Sequence, residues 1–311
     1  GTQNILLRFS RGGRSFVLRR PPAHTIANGS ETMRREARVL GALASTDVPH
    51  PRLIAGCADE HVLGAAFYLM EPVDGFNPTV ALPALHAGDA DVRRRMGLSL
   101  VDAIASLGRV DADAVGLGDF GRTEGFLQRQ PRRWHNQLQG YAVHIEWQGP
   151  DTIPGIAEVG AWLEAHCPAN FTPGIMHGDY HLANVLYRYD SPELAAIVDW
   201  ELATLGDPLI DLGWLLATWP DPAEYGERLP VAPWAGFPDS EMLIERYRAG
   251  SRRDMSAIAW YEVLACYKLG ILLEGTHARA AAGKADAATG QMLHAKTIAL
   301  FRRALRRIKH L

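Results

Sequence analysis

His177-Gly178-Asp179-Tyr180-His181-Leu182-Ala183-Asn184-Val185-Leu186-Tyr187, answered a few residues later by Ile197-Val198-Asp199-Trp200-Glu201, is the segment that the rest of this chain serves. Asp179 and Asn184 stand five positions apart in a polar loop that runs into a short apolar strand. After a turn, a second apolar strand delivers Asp199 at its end. This loop–strand–turn–strand unit gathers three oxygen-bearing side chains at one rim. Hard cations such as Mg²⁺ take that kind of donor set, one or two carboxylates or amides completed by water and phosphate oxygens. His177 and His181 offer a rival: two histidines four apart ligate zinc when they share a helix face. Gly178 disfavours a helix there, no third ligand follows at matching spacing, and Asn184 would have no task.

Protein kinases carry the same parts in the same order: a catalytic-loop Asp, an Asn further along the loop, and a metal-binding Asp after the next hairpin. The segment resembles the variant found in the aminoglycoside phosphotransferase and choline kinase-like family, where His-Gly-Asp replaces His-Arg-Asp and Asp-Trp-Glu replaces Asp-Phe-Gly. That resemblance implies ATP or GTP with Mg²⁺ as cofactors. It makes Asp179 the residue that orients the acceptor hydroxyl, and Asn184 and Asp199 the metal ligands. His177 reads as a buttress that holds the loop by hydrogen bonding, and His181 and Glu201 as candidates for the acceptor site. Asp211, in Asp207-Pro208-Leu209-Ile210-Asp211, matches a family Asp that holds the catalytic loop. A carboxylate in the first turn of a helix is equally served there by the helix dipole.

The flanking chain has the order that such a site needs. Residues 4–9 and 15–20 alternate as strands around the turn Arg11-Gly12-Gly13-Arg14, and Pro21-Pro22 ends the second one. Asn28-Gly29-Ser30-Glu31 starts a helix to about residue 44, with Met33, Ala37 and Leu40 on one face. Two more strands are expected at 52–58 and 65–71. From Pro72 the chain turns helical, with helices expected near 90–108, 123–144, 155–167, 208–218, 239–250, 254–275 and 289–309. The reading is an α+β, two-lobed protein kinase-like fold. Residues 1–72 form the β-rich nucleotide-binding lobe, with Gly1 read as a fragment edge, and residues 73–311 form the helical lobe with the catalytic loop and acceptor site.

Within the small lobe, Phe16-Val17-Leu18-Arg19 takes the place of the kinase Val-Ala-Ile-Lys strand. The usual lysine is an arginine, which keeps the charge and grips phosphate bidentately with a bulkier head. Glu36 is its expected ion-pair partner. Thr2, Gln3 and Asn4 would be the remnant of a phosphate-covering loop. Tyr68-Leu69-Met70-Glu71-Pro72-Val73 reads as the passage to the hinge, with Met70 behind the adenine. Pro72 cannot donate, so the main chain of Glu71 and the N–H of Val73 are left to meet the base edge.

Composition excludes other classes. In 311 residues, 47% apolar and 22% charged, a net charge of −3 gives no general attraction to nucleic acid or anionic membrane. Cys57, Cys167 and Cys266 show no paired spacing, so a reducing cytoplasm suits the chain. No apolar run approaches the roughly 18 residues of a membrane span. Residues 212–311 carry 14 Lys and Arg against 10 acids, which disfavours a polycationic aminoglycoside as acceptor. A small hydroxylated molecule, neutral or anionic, such as a metabolite or hydroxyacyl thioester, is the expected partner. The double-proline strand and the Phe-Tyr-Leu-Met-Glu passage are similar to kinase-like domains fused to acyl-CoA dehydrogenases. A pseudokinase that holds nucleotide without transfer stays open as an alternative because of Arg19.

Overall fold

The computed structural model describes residues 4–22, 28–220 and 231–311. Thr2 and Gln3 lie outside the described residues. In chain order the elements are β1 (Ile5–Arg11), β2 (Arg14–Arg20), α1 (Gly29–Leu43), β3 (Leu53–Cys57), β4 (Phe67–Met70), α2 (Ala84–Gly88), α3 (Ala90–Arg109), α4 (Arg129–Gln139) and α5 (Ile156–Ala165). There follow β5 (Gly174–Met176), β6 (Val185–Tyr187), β7 (Leu194–Ile197), β8 (Thr204–Gly206), α6 (Leu209–Thr218), α7 (Ser240–Gly250), α8 (Ile258–Ala281) and α9 (Ala287–Lys309).

Packing divides the chain into two units. The first takes Gly1–Gly121, Gly174–Pro208 and Arg228–Arg252; the second takes Arg122–Pro173, Leu209–Glu227 and Arg253–Leu311. In the first, an antiparallel sheet runs β1-β2-β4-β3. Its opening hairpin turns on Gly12 and Gly13, both at positive φ, the backbone that a two-residue turn matched to strand twist demands. Pairing of β2 with β4 sets Arg19 opposite Tyr68. Helix α1 buries Met33, Glu36, Leu40 and Leu43, so the helical period carries one carboxylate onto an otherwise apolar face.

The same unit holds the β6–β7 hairpin and the β5–β8 pair. Helix α3, capped by Asp89, braces both. The buried hydroxyls of Tyr180 and Tyr187 donate to the carbonyls of Leu100 (2.7 Å) and Met96 (2.9 Å). Two tyrosines therefore tie the loop and the hairpin to one face of α3, four residues apart along the helix.

The second unit is helical. Helix α8 is buried almost all round, in keeping with its apolar sequence, and packs along α9. Gly270 lets α9 approach: a Cβ there would lie 2.7 Å from the Phe301 ring. Sequence expectation ended α8 at residue 275. The helix instead runs to Ala281, because Gly275 serves close contact with Tyr141 rather than termination; its Cβ would meet the Tyr141 hydroxyl at 2.5 Å. The helix expected over 123–144 is shorter, Arg129–Gln139 followed by a 3₁₀ turn to Val143, since Gly125 sits at φ 58°. Among the described residues, no helix is long and apolar enough to cross a membrane.

Candidate active site

Strand β5 ends at Met176 and hands the chain to His177, which is fully buried. Its Nε2 donates to the carbonyl of Val198 at 2.9 Å, and its Nδ1 accepts from the N–H of Asp179 at 3.3 Å. Burial holds this imidazole down at about 4, so it is neutral and works as a strut between the loop and the end of β7. Neither nitrogen is left for zinc, and the chain at His181 is extended rather than helical. The next residue, Gly178, has φ 88°, and a Cβ would lie 2.5 Å from the carbonyl oxygen of Leu202. Glycine is what this turn admits.

The turn delivers Asp179. The amide nitrogen of Asn184 donates both to the Asp179 carbonyl (2.9 Å) and to its Oδ2 (3.0 Å). The Asn184 Oδ1 takes no hydrogen bond among the described residues. His181 lies beside them, its Nε2 3.4 Å from Asp179 Oδ1, with Nδ1 accepting from the N–H of Ala183. Asn184 precedes β6 and Asp199 follows β7 by two residues. Because Val185 pairs with Ile197 and the N–H of Val198 donates to the carbonyl of Asn184 at 2.9 Å, the hairpin itself brings Asn184 next to the Val198–Asp199 step. Asp199 has φ 68°, a left-handed conformation uncommon for a non-glycine residue and concentrated at functional sites.

From the sheet comes Arg19, buried at 5% exposure. Its Nη2 donates to Asp199 Oδ1 at 2.5 Å, its Nε lies 3.1 Å from Glu36 Oε2, and Nη2 stands 3.8 Å from Glu201 Oε2. The Tyr68 hydroxyl donates to Glu36 Oε2 at 2.7 Å, and Asn4 Nδ2 donates to Glu201 Oε2 at 3.2 Å. One guanidinium thus faces three carboxylates. Burial, and secondarily the neighbouring acids, push Glu36 up to about 7 against the pull of Arg19 and Tyr68, and they raise Glu201 as well. Glu36 Oε1 is buried without a hydrogen-bond partner. Burial alone would lower the Arg19 pKa, but Glu36, Tyr68 and Asp199 outweigh it and hold it above the ordinary value.

The donor chemistry fits a hard divalent cation: carboxylates on Asp179 and Asp199, an unspent amide oxygen on Asn184, and negative charge in excess of the single guanidinium. Glu201 meets the Arg19 guanidinium and Asn4, and the Asp179 carboxylate also acts on it electrostatically. At the strand end, the N–H of Glu71 donates to the carbonyl of Arg52 at 2.9 Å, which leaves that donor engaged. The N–H of Val73 makes no hydrogen bond among the described residues. Met70 is half-buried at the end of β4. Asp211 is buried in the first turn of α6.

Two residues outside the sequence expectation complete the site. Tyr68 was legible only as part of an apolar strand; its register opposite Arg19 is what sends its hydroxyl to Glu36. Asn77 donates from Nδ2 to the carbonyls of Ala183 (2.7 Å) and Val185 (3.3 Å), clamping the loop that carries Asn184.

With this geometry in hand, residues 2–261 match the model of the phosphotransferase enzyme family. The chain belongs to that family. Its structure superposes on a Ralstonia eutropha JMP134 protein, provisionally designated an aminoglycoside phosphotransferase, with a TM-score of 0.81 at 26% identity, covering 99% of this chain and 93% of that one. A GDP complex of aminoglycoside 2'-phosphotransferase-IIIa shares the fold, with a TM-score of 0.60 at 15% identity, over 100% of this chain and 91% of that one. The fold is accordingly the mixed α+β, kinase-like fold of the family. Among curated relatives, mouse acyl-CoA dehydrogenase family member 10 is 27% identical over 94% of this chain, and a probable Arabidopsis thaliana acyl-CoA dehydrogenase, IBR3, is 29% identical over 88%. The chain spans 27% and 34% of those two proteins' lengths.

Proposed function

We propose that this family member transfers the γ-phosphoryl group of ATP or GTP to a hydroxyl of a small neutral or anionic molecule, with Mg²⁺. The observation that carries the reading is the joint of Asp179, Asn184 and Asp199 across the β6–β7 hairpin, set against three carboxylates that share one guanidinium. Asn184 and Asp199 would hold the metal, whose contribution when bound is neutralisation of charge on the β- and γ-phosphate oxygens. Asp179, held by the Asn184 amide and flanked by His181, orients the acceptor hydroxyl and takes up its proton. Arg19, steadied by Glu36, meets the phosphates as a bidentate donor in the place of the usual lysine. Residues 1–72 are the nucleotide-binding lobe in this reading. Asn4 borders the phosphates, and Met70, Glu71 and Val73 line the base site, with the Val73 N–H as donor. His181 borders the acceptor.

The acceptor class is supported by the excess of basic residues in 212–311 and by the names of the relatives. A hydroxyl on an acyl thioester is the form of acceptor that a domain akin to those of acyl-CoA dehydrogenase proteins would meet. One observation favours a second reading, nucleotide binding without transfer: the Arg19 guanidinium sits on Asp199 Oδ1 at 2.5 Å, on the carboxylate that the metal needs. Turnover separates the two. Wild-type protein with Mg²⁺-nucleotide and a panel of hydroxyacyl thioesters, hydroxy acids and aminoglycosides should phosphorylate an anionic or neutral member. Asp179→Asn should lower that rate by roughly 10²–10⁴-fold while nucleotide affinity stays within a few-fold. Wild-type turnover in the variant would remove Asp179 from its role, and preferential use of aminoglycosides would overturn the acceptor class.

A further inference from the structure

A second donor set lies in the helical unit, on α8 and α9. Glu274 and His277 stand three residues apart on α8, which puts them on one face, and His294 faces them from α9. One ligand atom from each of the three lies within 4.8 Å of the others. Glu274 is completely buried. Its Oε1 accepts from the indole Nε1–H of Trp147 at 2.7 Å, while Oε2 stands 2.8 Å from His294 Nδ1. The rings of His277 and His294 stack with centroids 4.4 Å apart. His277 Nδ1 is buried and has no hydrogen-bond partner.

An ordinary Glu–His pair accounts for only part of this. It explains the 2.8 Å contact but leaves a second imidazole stacked against the first with an unspent nitrogen in a buried setting, where an unpaired polar atom is costly. We infer that Glu274, His277 and His294 form a Zn²⁺-binding site that clasps α9 to α8. Two imidazole nitrogens with one carboxylate oxygen suit zinc and other borderline first-row cations, whereas Mg²⁺ and Ca²⁺ favour oxygen alone. The chemistry of the third partner agrees: Trp147 occupies one carboxylate oxygen and leaves the other to bind in a monodentate fashion, the orienting contact that metal-ligating carboxylates make. Ligand atoms around tetrahedral zinc lie about 3.3 Å apart, so closing the site draws the three donors together and turns the two stacked rings until their nitrogens aim at one centre. Zinc here takes the place of the proton shared by Glu274 and His294 and gives His277 a partner. A water fills the fourth position. The site is independent of the phosphotransferase residues, none of which it uses.

The test uses the whole chain, freed of metal by a chelator and titrated with ZnCl₂, with CoCl₂ as an optical probe and MgCl₂ as a control. One Zn²⁺ per chain should bind with sub-micromolar affinity, raise the unfolding temperature by several degrees, and Co²⁺ should give the strong visible absorption of a four-coordinate N,O site; Mg²⁺ should do none of these. His277→Asn and His294→Asn should each weaken Zn²⁺ binding by about 100-fold or more, while the metal-free unfolding temperature of His277→Asn remains near that of the wild type and that of His294→Asn falls, because the buried Glu274 loses its imidazole partner. His277 is only half-buried, so its variant keeps the experiment readable even if changes at Glu274 prevent folding. Absence of stoichiometric zinc binding by the wild type would overturn the proposal, as would undiminished binding by the two histidine variants.

Discussion

Replacing Arg19 by methionine strips Glu36 of its cation, and the geometry says at which pH that will be felt. The two side chains are 6% and 1% exposed, with Arg19 Nε 3.1 Å from Glu36 Oε2. Burial pushes the Glu36 carboxyl up from 4.5 to about 7 even with Arg19 and the Tyr68 hydroxyl pulling it down. The folded chain therefore binds more protons at this position than the unfolded chain between those two values. Stability from this group is fully present below about pH 4.5 and declines as pH rises, by about 3 kcal/mol in all by about pH 7. Above that the wild type is flat on this account. In Arg19→Met the folded-state pKa climbs further, so the decline continues past pH 7 at up to about 1.4 kcal/mol per pH unit. A double-mutant cycle of Arg19→Met with Glu36→Gln should then give a coupling below about 0.5 kcal/mol near pH 6 and about 2–3 kcal/mol near pH 9. Urea unfolding of the four proteins across that range, in metal- and nucleotide-free buffer, measures it. The Glu36→Gln background cancels what Arg19 does for Asp199 and Glu201. A coupling of the same size at both ends of the range would refute the account of a buried carboxyl poised near neutrality.

Asp199→Asn keeps a residue type that tolerates the left-handed backbone and removes only the charge. It should weaken Mg²⁺-nucleotide binding by about tenfold or more, about 1.4 kcal/mol, while metal-free nucleotide binding holds or tightens because Arg19 loses its partner. Isothermal titration with and without Mg²⁺ decides this, and an equal loss in both would contradict a metal-ligand role. Gly178→Ala must hold a positive φ and place a Cβ 2.5 Å from the Leu202 carbonyl oxygen. It should cost at least about 2 kcal/mol and lower turnover by displacing the adjoining Asp179. Thermal unfolding indistinguishable from the wild type would show that the turn relaxes freely.

What could be read without coordinates was what lies close together along the chain. The twin glycines of Arg11–Arg14 and the alternation on either side marked β1 and β2. The apolar character of 257–273 is that of a helix buried on most sides, which α8 is there. The loop–hairpin unit is contiguous over 25 residues, 177–201, so the placing of Asn184 and Asp199 at neighbouring strand ends follows from local pairing alone. Where local signals misled, glycine was the cause. The helix expected near 254–275 runs on past Gly275, which makes room for Tyr141, and the positive φ of Gly125 shortens α4 at a place where composition looks helical.

By itself the sequence determined the opening hairpin, the run of long helices, the loop–hairpin that carries Asp179, Asn184 and Asp199, and the kind of donor gathered there, because each depends on residues within a few strand lengths of one another. Only the tertiary structure decided that Arg19 reaches Asp199 across 180 positions of chain, that Tyr68 holds Glu36, and that Glu201 joins Arg19 and Asn4 in that cluster. It also decided that Glu274, His277 and His294 meet. These partnerships join segments distant in sequence, and their charges and hydroxyls are buried in common. Which buried polar group finds which partner is set by the packing of sheet on helix and helix on helix, and no local pattern of residues encodes it.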